Sequence, residues 1–175
     1  MVLELKPPDQ LTPSTLAGLW PVLTGYGLSF ALVAIYWVNH HNLFHLAHNA
    51  SRKMLWANML WLFWLSLIPF ATAAIGRDPH DPFTMNVYGF VQMLCAATYR
   101  WLWLAVLSEV KLSPELLDWR KRQERKGRNS VLLFAFALPM AWVHPGWSIA
   151  IYIAIAVAYV VPSREFESVV QSRHR

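Results

Sequence analysis

Five apolar segments, separated by polar stretches, dominate the hydrophobic pattern of this 175-residue chain. A helix needs about 20 apolar residues to cross the bilayer core, with a range of about 17–25. The first three segments are long enough, whereas the last two are shorter. Those two could cross fully or form a re-entrant hairpin, and either arrangement returns the chain to the same side. The five segments lie near residues 19–38, 54–75, 83–107, 131–143 and 147–161.

This pattern predicts an all-α, multi-pass transmembrane helical bundle that forms a single integral membrane domain over residues 1–175. The composition agrees, because 56% of the residues are hydrophobic and 14% are charged, which leaves no room for a second soluble domain. Pro69 predicts a kink in the second segment, since proline has no backbone N–H. His144-Pro145-Gly146 predicts a tight turn between the last two segments.

Basic residues gather between the apolar segments, mostly in the stretch 108–130. Cytoplasmic loops of membrane proteins collect Lys and Arg. We therefore expect the loop after the first segment, the loop 108–130 and the C-terminus to be cytoplasmic, in the cell (inner or plasma) membrane. Ser113-Pro114-Glu115 predicts the start of a short surface helix. The net charge of +5 is better explained by topology and contact with membrane lipid than by nucleic acid.

Single residues within the apolar segments carry separate expectations. Arg100 is costly inside a membrane, so we expect it to snorkel toward the cytoplasmic headgroups, with an ion pair to another helix as the alternative. Cys95 is the only cysteine, and we expect a buried apolar filler. The tryptophans of the second and third segments are expected in interfacial belts and in packing; they are Trp56, Trp61, Trp64, Trp101 and Trp103.

A cluster of histidine, asparagine and aromatic residues closes the first apolar segment. Such groups are costly at the end of a membrane span unless hydrogen bonds, ligands or water satisfy them. On a helix, one stripe would hold Trp37, His41, His45 and His48. The first interpretation is a structural hydrogen-bond network with a neighbouring helix, made of Trp37, His40, His41 and Asn58.

Two other interpretations of the cluster remain open. His41, His45 and His48 on one face could bind a metal, although no acidic residue lies close in sequence and a metal site needs further ligands. Alternatively, His40 or His41 could sense pH, because imidazole titrates near neutrality. The chain has no phosphate-binding loop, dinucleotide fingerprint, nucleophile elbow or HExxH motif. We therefore expect no enzyme activity, no cofactor and no catalytic residue.

The same stretch carries a resemblance to a known family. Trp37 is followed by His40-His41 and Leu43-Phe44, then by Leu55-Trp56 with Asn58, and later by Leu67-Ile68-Pro69-Phe70. In this order and spacing the sequence resembles the prokaryotic branch of the transmembrane protein 175 family of potassium channels. The resemblance runs from about Glu4 to Trp103.

The resemblance implies a potassium-selective channel subunit that works as a homo-oligomer around a central pore, with potassium as the transported ion. In that family the first helix lines most of the pore. Met1 to Lys6 resemble the last turn of that helix, so we expect this chain to lack it and assign no pore residue. The alternatives are a non-conducting scaffold or assembly subunit and, third, a metal-binding membrane protein that uses the histidine cluster.

Overall fold

The computed structural model describes residues 12, 13, 15, 19–47, 50–78, 80–110 and 114–160. The predictions about the start of the chain, about His48 and about the C-terminal tail fall outside these residues. The described part contains six helices: α1 (Trp20–Phe44), α2 (Arg52–Ser66), α3 (Ile68–Arg77), α4 (Pro82–Leu107), α5 (Pro114–Val143) and α6 (Pro145–Val160). The predicted all-α bundle is therefore confirmed.

α4 is the central helix of the bundle, because it packs against α1, α2, α3, α5 and α6. Two buried clusters lie along it. The first surrounds Trp61 and Leu102, and the second surrounds Met85 and Tyr152. Cys95 belongs to the second cluster and is fully buried, as expected for an apolar filler.

Helix α4 begins at a side-chain cap. Asp81 accepts hydrogen bonds from the backbone N–H of Thr84 at 2.9 Å and of Phe83 at 3.3 Å, and Pro82 occupies the first helical position. This arrangement satisfies N–H groups that have no partner within the helix.

A glycine allows α4 to approach α6 closely. A Cβ atom at Gly89 would collide with the Tyr152 hydroxyl. That hydroxyl donates a hydrogen bond of 3.2 Å to the Met85 carbonyl oxygen. The missing side chain therefore makes room for a contact between the two helices.

The second apolar segment is divided into α2 and α3 at Leu67. Pro69 follows in the first turn of α3, where its missing N–H costs little. The break is therefore where the sequence predicts a kink. α1 packs mainly against α3 and approaches α2 less closely.

The helix predicted to begin near Pro114 within the loop 108–130 is present, but it is much longer than the short surface helix expected. From Pro114 onward the charged stretch is helical and continues without a break to Val143. Arg, Lys, Glu and Gln are strong helix formers, and no proline interrupts the helix before Pro139. The predicted surface helix and the fourth apolar segment are thus one helix. Only His144 separates it from α6.

By length and composition, two helical stretches of the described residues could cross a membrane, Arg52–Arg77 and Pro82–Leu107. A shorter apolar helix covers Pro145–Tyr159. Large apolar side chains of α2 face outward, including Trp56 (68% exposed) and Met59 (60% exposed). An outward apolar face is typical of a helix that contacts lipid or another subunit.

Candidate functional site

The histidine cluster divides into two groups on different faces of α1. The first, which we name the inner group, consists of His40, Phe44, Asn58 and Trp61. His40 Nε2 lies 2.9 Å from Asn58 Oδ1 on α2. The His40 ring stacks on Trp61 with a centroid distance of 4.8 Å and an interplanar angle of 11°. It also lies 4.4 Å from the Phe44 ring.

Trp61 is the centre of the inner group, because only 1% of its surface is exposed. Tyr36 and Tyr99 contact it at ring distances of 6.3 and 5.6 Å. The inner group therefore joins side chains of α1, α2 and α4. Since the backbones of α1 and α2 approach less closely, long side chains make the connection there.

The proton position in the inner hydrogen bond follows from its chemistry. A carboxamide oxygen only accepts, so His40 Nε2 donates to Asn58. A neutral ring with its proton on Nε2 can make this bond, and a charged ring can make it as well. The contact itself therefore does not require one charge state of His40.

The second set, which we name the outer group, consists of Trp37, His41 and His45. Trp37 stacks on His41 at 5.1 Å and 11°, and His41 Nε2 lies 2.9 Å from His45 Nε2. These residues are four apart, which places them on one helical face. Trp37 is 59% exposed, and the hydrogen bond between the two histidines is also exposed.

The structure therefore brings His40 to Asn58 and keeps Trp37 and His41 apart from Asn58. The outer contact joins two imidazole nitrogens, so one must donate and the other must accept. It cannot form when both rings are charged. Within the described ranges no three His, Cys, Asp or Glu side chains converge as metal ligands. The third residue of the metal interpretation, His48, is not among the described residues.

A buried polar chain links α1 to α4, and we did not single it out from the sequence. The Tyr36 hydroxyl donates to Gln92 Oε1 at 3.1 Å, and Gln92 Nε2 donates to the Tyr88 hydroxyl at 2.8 Å. Gln92 is 3% exposed. The available signal was the glutamine itself, since a carboxamide within an apolar segment needs partners.

Arg100 makes the interhelical ion pair that was the alternative to snorkelling. Its Nη2 atom lies 3.2 Å from Glu124 Oε1 on α5. This contact favours the alternative, an ion pair to another helix, over snorkelling. Because the charged stretch continues as α5, it places a carboxylate beside the guanidinium. The two side chains are 32% and 40% exposed, so the pair is only partly shielded from solvent.

The interhelical contacts and the outward apolar faces together define a class of protein. Helices with outward apolar faces, joined inside by hydrogen bonds and by the ion pair of Arg100 with Glu124, are typical of a multi-pass membrane protein.

A sequence model of the family described as "Endosomal/lysosomal potassium channel TMEM175" matches residues 1–69. A potassium channel of Chryseobacterium sp. (strain P1-3) is 30% identical over 171 residues, covering 95% of this chain and 86% of that protein. A potassium channel of Chamaesiphon minutus is 27% identical over 172 residues, covering 89% and 85%.

The fold has a solved counterpart as well. The crystal structure of a lysosomal potassium-selective channel TMEM175 homolog from Chamaesiphon minutus matches with a TM-score of 0.70 and 22% identity. The match covers 91% of this chain and 86% of that chain. The chain belongs to the TMEM175 family of potassium channels. It is thus a membrane channel protein and not an enzyme.

Proposed function

We propose that this chain is a subunit of a potassium-selective channel that carries potassium ions across the cell (inner or plasma) membrane. The observation that carries the proposal is the likeness to the Chryseobacterium potassium channel over 95% of this chain. The shared fold supports it. A likeness of this length includes the inner group, the central helix α4 and the α5–α6 pair.

The functional unit in this proposal is a homo-oligomer. Its support is the outward apolar surface of α1 and α2, where Phe30, Trp37, Trp56 and Phe63 are each more than half exposed. Helices in membranes associate by close van der Waals packing. One such face would contact a second copy and another would contact lipid.

The proposed topology places the charged half of α5 and the C-terminus in the cytoplasm. Between residues 117 and 130 there are six basic and two acidic side chains. An excess of Lys and Arg marks the cytoplasmic side. Arg125→Cys in a Cys95→Ser background tests this orientation, because Arg125 is exposed. A membrane-impermeant maleimide should label it in inverted vesicles and not in intact cells.

The proposed role of the network of Trp37, His40, His41 and Asn58 is structural. Within it, the hydrogen bond from His40 to Asn58 and the stack on Trp61 hold α1 against α2. Trp37 and His41 contribute at the outward face of α1. In a channel, such a contact would preserve the relative position of helices that surround the ion path.

Potassium flux from liposomes tests the function. The purified full chain is reconstituted, and flux is measured with a potassium gradient and then with a sodium gradient, with empty liposomes as the control. We expect flux that is faster for potassium. The oligomeric state is measured on the same sample by light scattering. A folded oligomer without flux would contradict the channel proposal and favour the non-conducting scaffold.

A further inference from the structure

A long cavity lies inside the bundle between α1, α4, α5 and α6. Its volume is about 820 Å³, which is within the range of about 300–1,000 Å³ found for ligand pockets. On α4 its wall extends from Tyr88 to Trp103. At a rise of about 1.5 Å per residue, these 15 steps give a length of about 22 Å. The cavity therefore suits an elongated ligand.

The two ends of the cavity differ in chemistry. One end lies where α1 and α4 end and α5 begins, and it is lined by Asn42, His45, Arg100, Gln123 and Glu124. The other end is lined mostly by apolar and aromatic side chains, including Leu32, Phe134 and Ile155. The polar groups at this end include the chain of Tyr36, Gln92 and Tyr88, which are hydrogen-bonded to one another. A ligand that matches both ends of the cavity has a polar head and an apolar tail.

The hydrogen-bond donors of Arg100 at the polar end favour an anionic head group. The pair between Arg100 and Glu124 uses Nη2 of the arginine, and a guanidinium carries five N–H donors. The Nε atom of Arg100 is buried and has no hydrogen-bond partner among the described residues, so at least one donor remains for a ligand.

We propose that this cavity binds an anionic phospholipid. The phosphate group lies at the Arg100 end, and one acyl chain extends between α1 and α6 toward Leu32 and Ile155. This inference rests on the proposed topology, in which the Arg100 end faces the cytoplasm. Acidic lipids are concentrated in the cytoplasmic leaflet of membranes, and basic side chains between helices on that side bind their head groups. The site lies inside the subunit, between α1, α4, α5 and α6.

Native mass spectrometry of the purified full chain tests the head group. Binding of phosphatidylglycerol is compared with binding of phosphatidylcholine, for the unaltered chain and for Arg100→Gln. Arg125→Gln is the matched control, because it removes one exposed charge from the same region of α5. We expect Arg100→Gln to weaken phosphatidylglycerol binding about fivefold, as for one basic contact. Phosphatidylcholine binding should not change.

Photocrosslinking tests the position of the acyl chain and needs no stable arginine variant. Phosphatidylglycerol with a diazirine in its acyl chain should crosslink to peptides that contain Leu32 and Ile155. Ala156→Phe, which fills the cavity wall, should abolish these crosslinks. Each of three results would overturn the proposal: equal binding of the two lipids, equal losses in Arg100→Gln and Arg125→Gln, or crosslinks confined to outward residues such as Phe63. Crosslinks confined to outward residues are expected if protein side chains, and not a lipid, fill the cavity.

Discussion

The inner and outer groups stand one residue apart on α1, yet their environments differ. His40 donates to a side chain of another helix and stacks on a buried tryptophan. His41 contacts only its own helix in the described structure, through Trp37 and His45. Successive residues on a helix are about 100° apart. One step therefore separates an interhelical contact from an outward one.

Residue type alone therefore does not give the role of a histidine in a membrane helix. A hydrogen bond between helices holds two elements together, whereas a bond between residues four apart supports one helix. We therefore expect changes in the inner group to affect the stability of the bundle, and changes in the outer group to have small effects.

The largest expected effect comes from the tryptophan of the inner group. Trp61→Ala should lower the free energy of unfolding by about 3–5 kcal/mol, because it opens a cavity beside His40, Tyr36 and Tyr99. Trp56→Ala on the same helix is the control, since its side chain faces outward; its effect should be within about 0.5 kcal/mol. Denaturation in mixed detergent micelles measures both. Equal losses of stability in Trp61→Ala and Trp56→Ala would contradict the assignment of Trp61 to the inner group and of Trp56 to the outward face.

A second contrast between inward and outward positions uses glycines. Gly89→Ala should destabilise by about 1–3 kcal/mol, because the added methyl group collides with Tyr152. Gly27→Ala should instead stabilise by about 0.5–1 kcal/mol, since its Cβ would have open space in a helix interior. The same unfolding measurement applies. A stable Gly89→Ala protein would show that α4 and α6 can separate at little cost.

Double-mutant cycles measure the coupling energy of each histidine with its hydrogen-bond partner. The coupling between His40→Ala and Asn58→Ala should be about 0.6–1 kcal/mol, as for hydrogen bonds between helices. The coupling between His41→Ala and His45→Ala should be about 0.2–0.5 kcal/mol, as for neighbours on one helix face. An outer coupling equal to or above the inner one would contradict the assignment.

The smallest expected effect concerns an exposed local contact that titrates. Hydrogen bonds from the Thr84 side chain and backbone, with a further one from the Phe83 N–H, lower the pKa of the Asp81 carboxyl. The carboxylate therefore stabilises the folded state above its unfolded pKa of about 3.9, and this contribution is lost as the pH falls through the lower folded pKa.

Asp81→Asn is the test of this titration, since asparagine keeps a capping oxygen without the charge. The melting temperature of both proteins is measured between pH 2 and 6. The unaltered protein should lose stability relative to the variant as the pH falls. A constant difference across this range would show that the charge of Asp81 contributes nothing.

Much of the fold could be predicted from the sequence, because long apolar segments and prolines are local signals of helices and of their ends. The third segment was expected at 83–107 and is Pro82–Leu107. The continuity of α5 was missed, because a charged stretch has the same composition whether it is a loop or a solvated helix. The partner of Arg100 was also missed, since Glu124 is 24 residues away and only helix packing brings it near.

The candidate site could be predicted less well than the fold. Periodicity correctly placed Trp37, His41 and His45 on one face of α1. It could not show which face meets α2, because that depends on the rotation of α1 in the bundle. For the same reason the sequence did not distinguish His40 from His41 as the partner of Asn58.

The continuity of α5 has a mechanical consequence. Thirty helical residues make a rod about 45 Å long, which exceeds the bilayer core of about 30 Å. The charged half and the packed half of α5 therefore move together as parts of one helix. A displacement near Arg120 is transmitted along α5 to Phe134, which precedes Pro139, and from there to Tyr152 of α6, whose ring contacts Phe134.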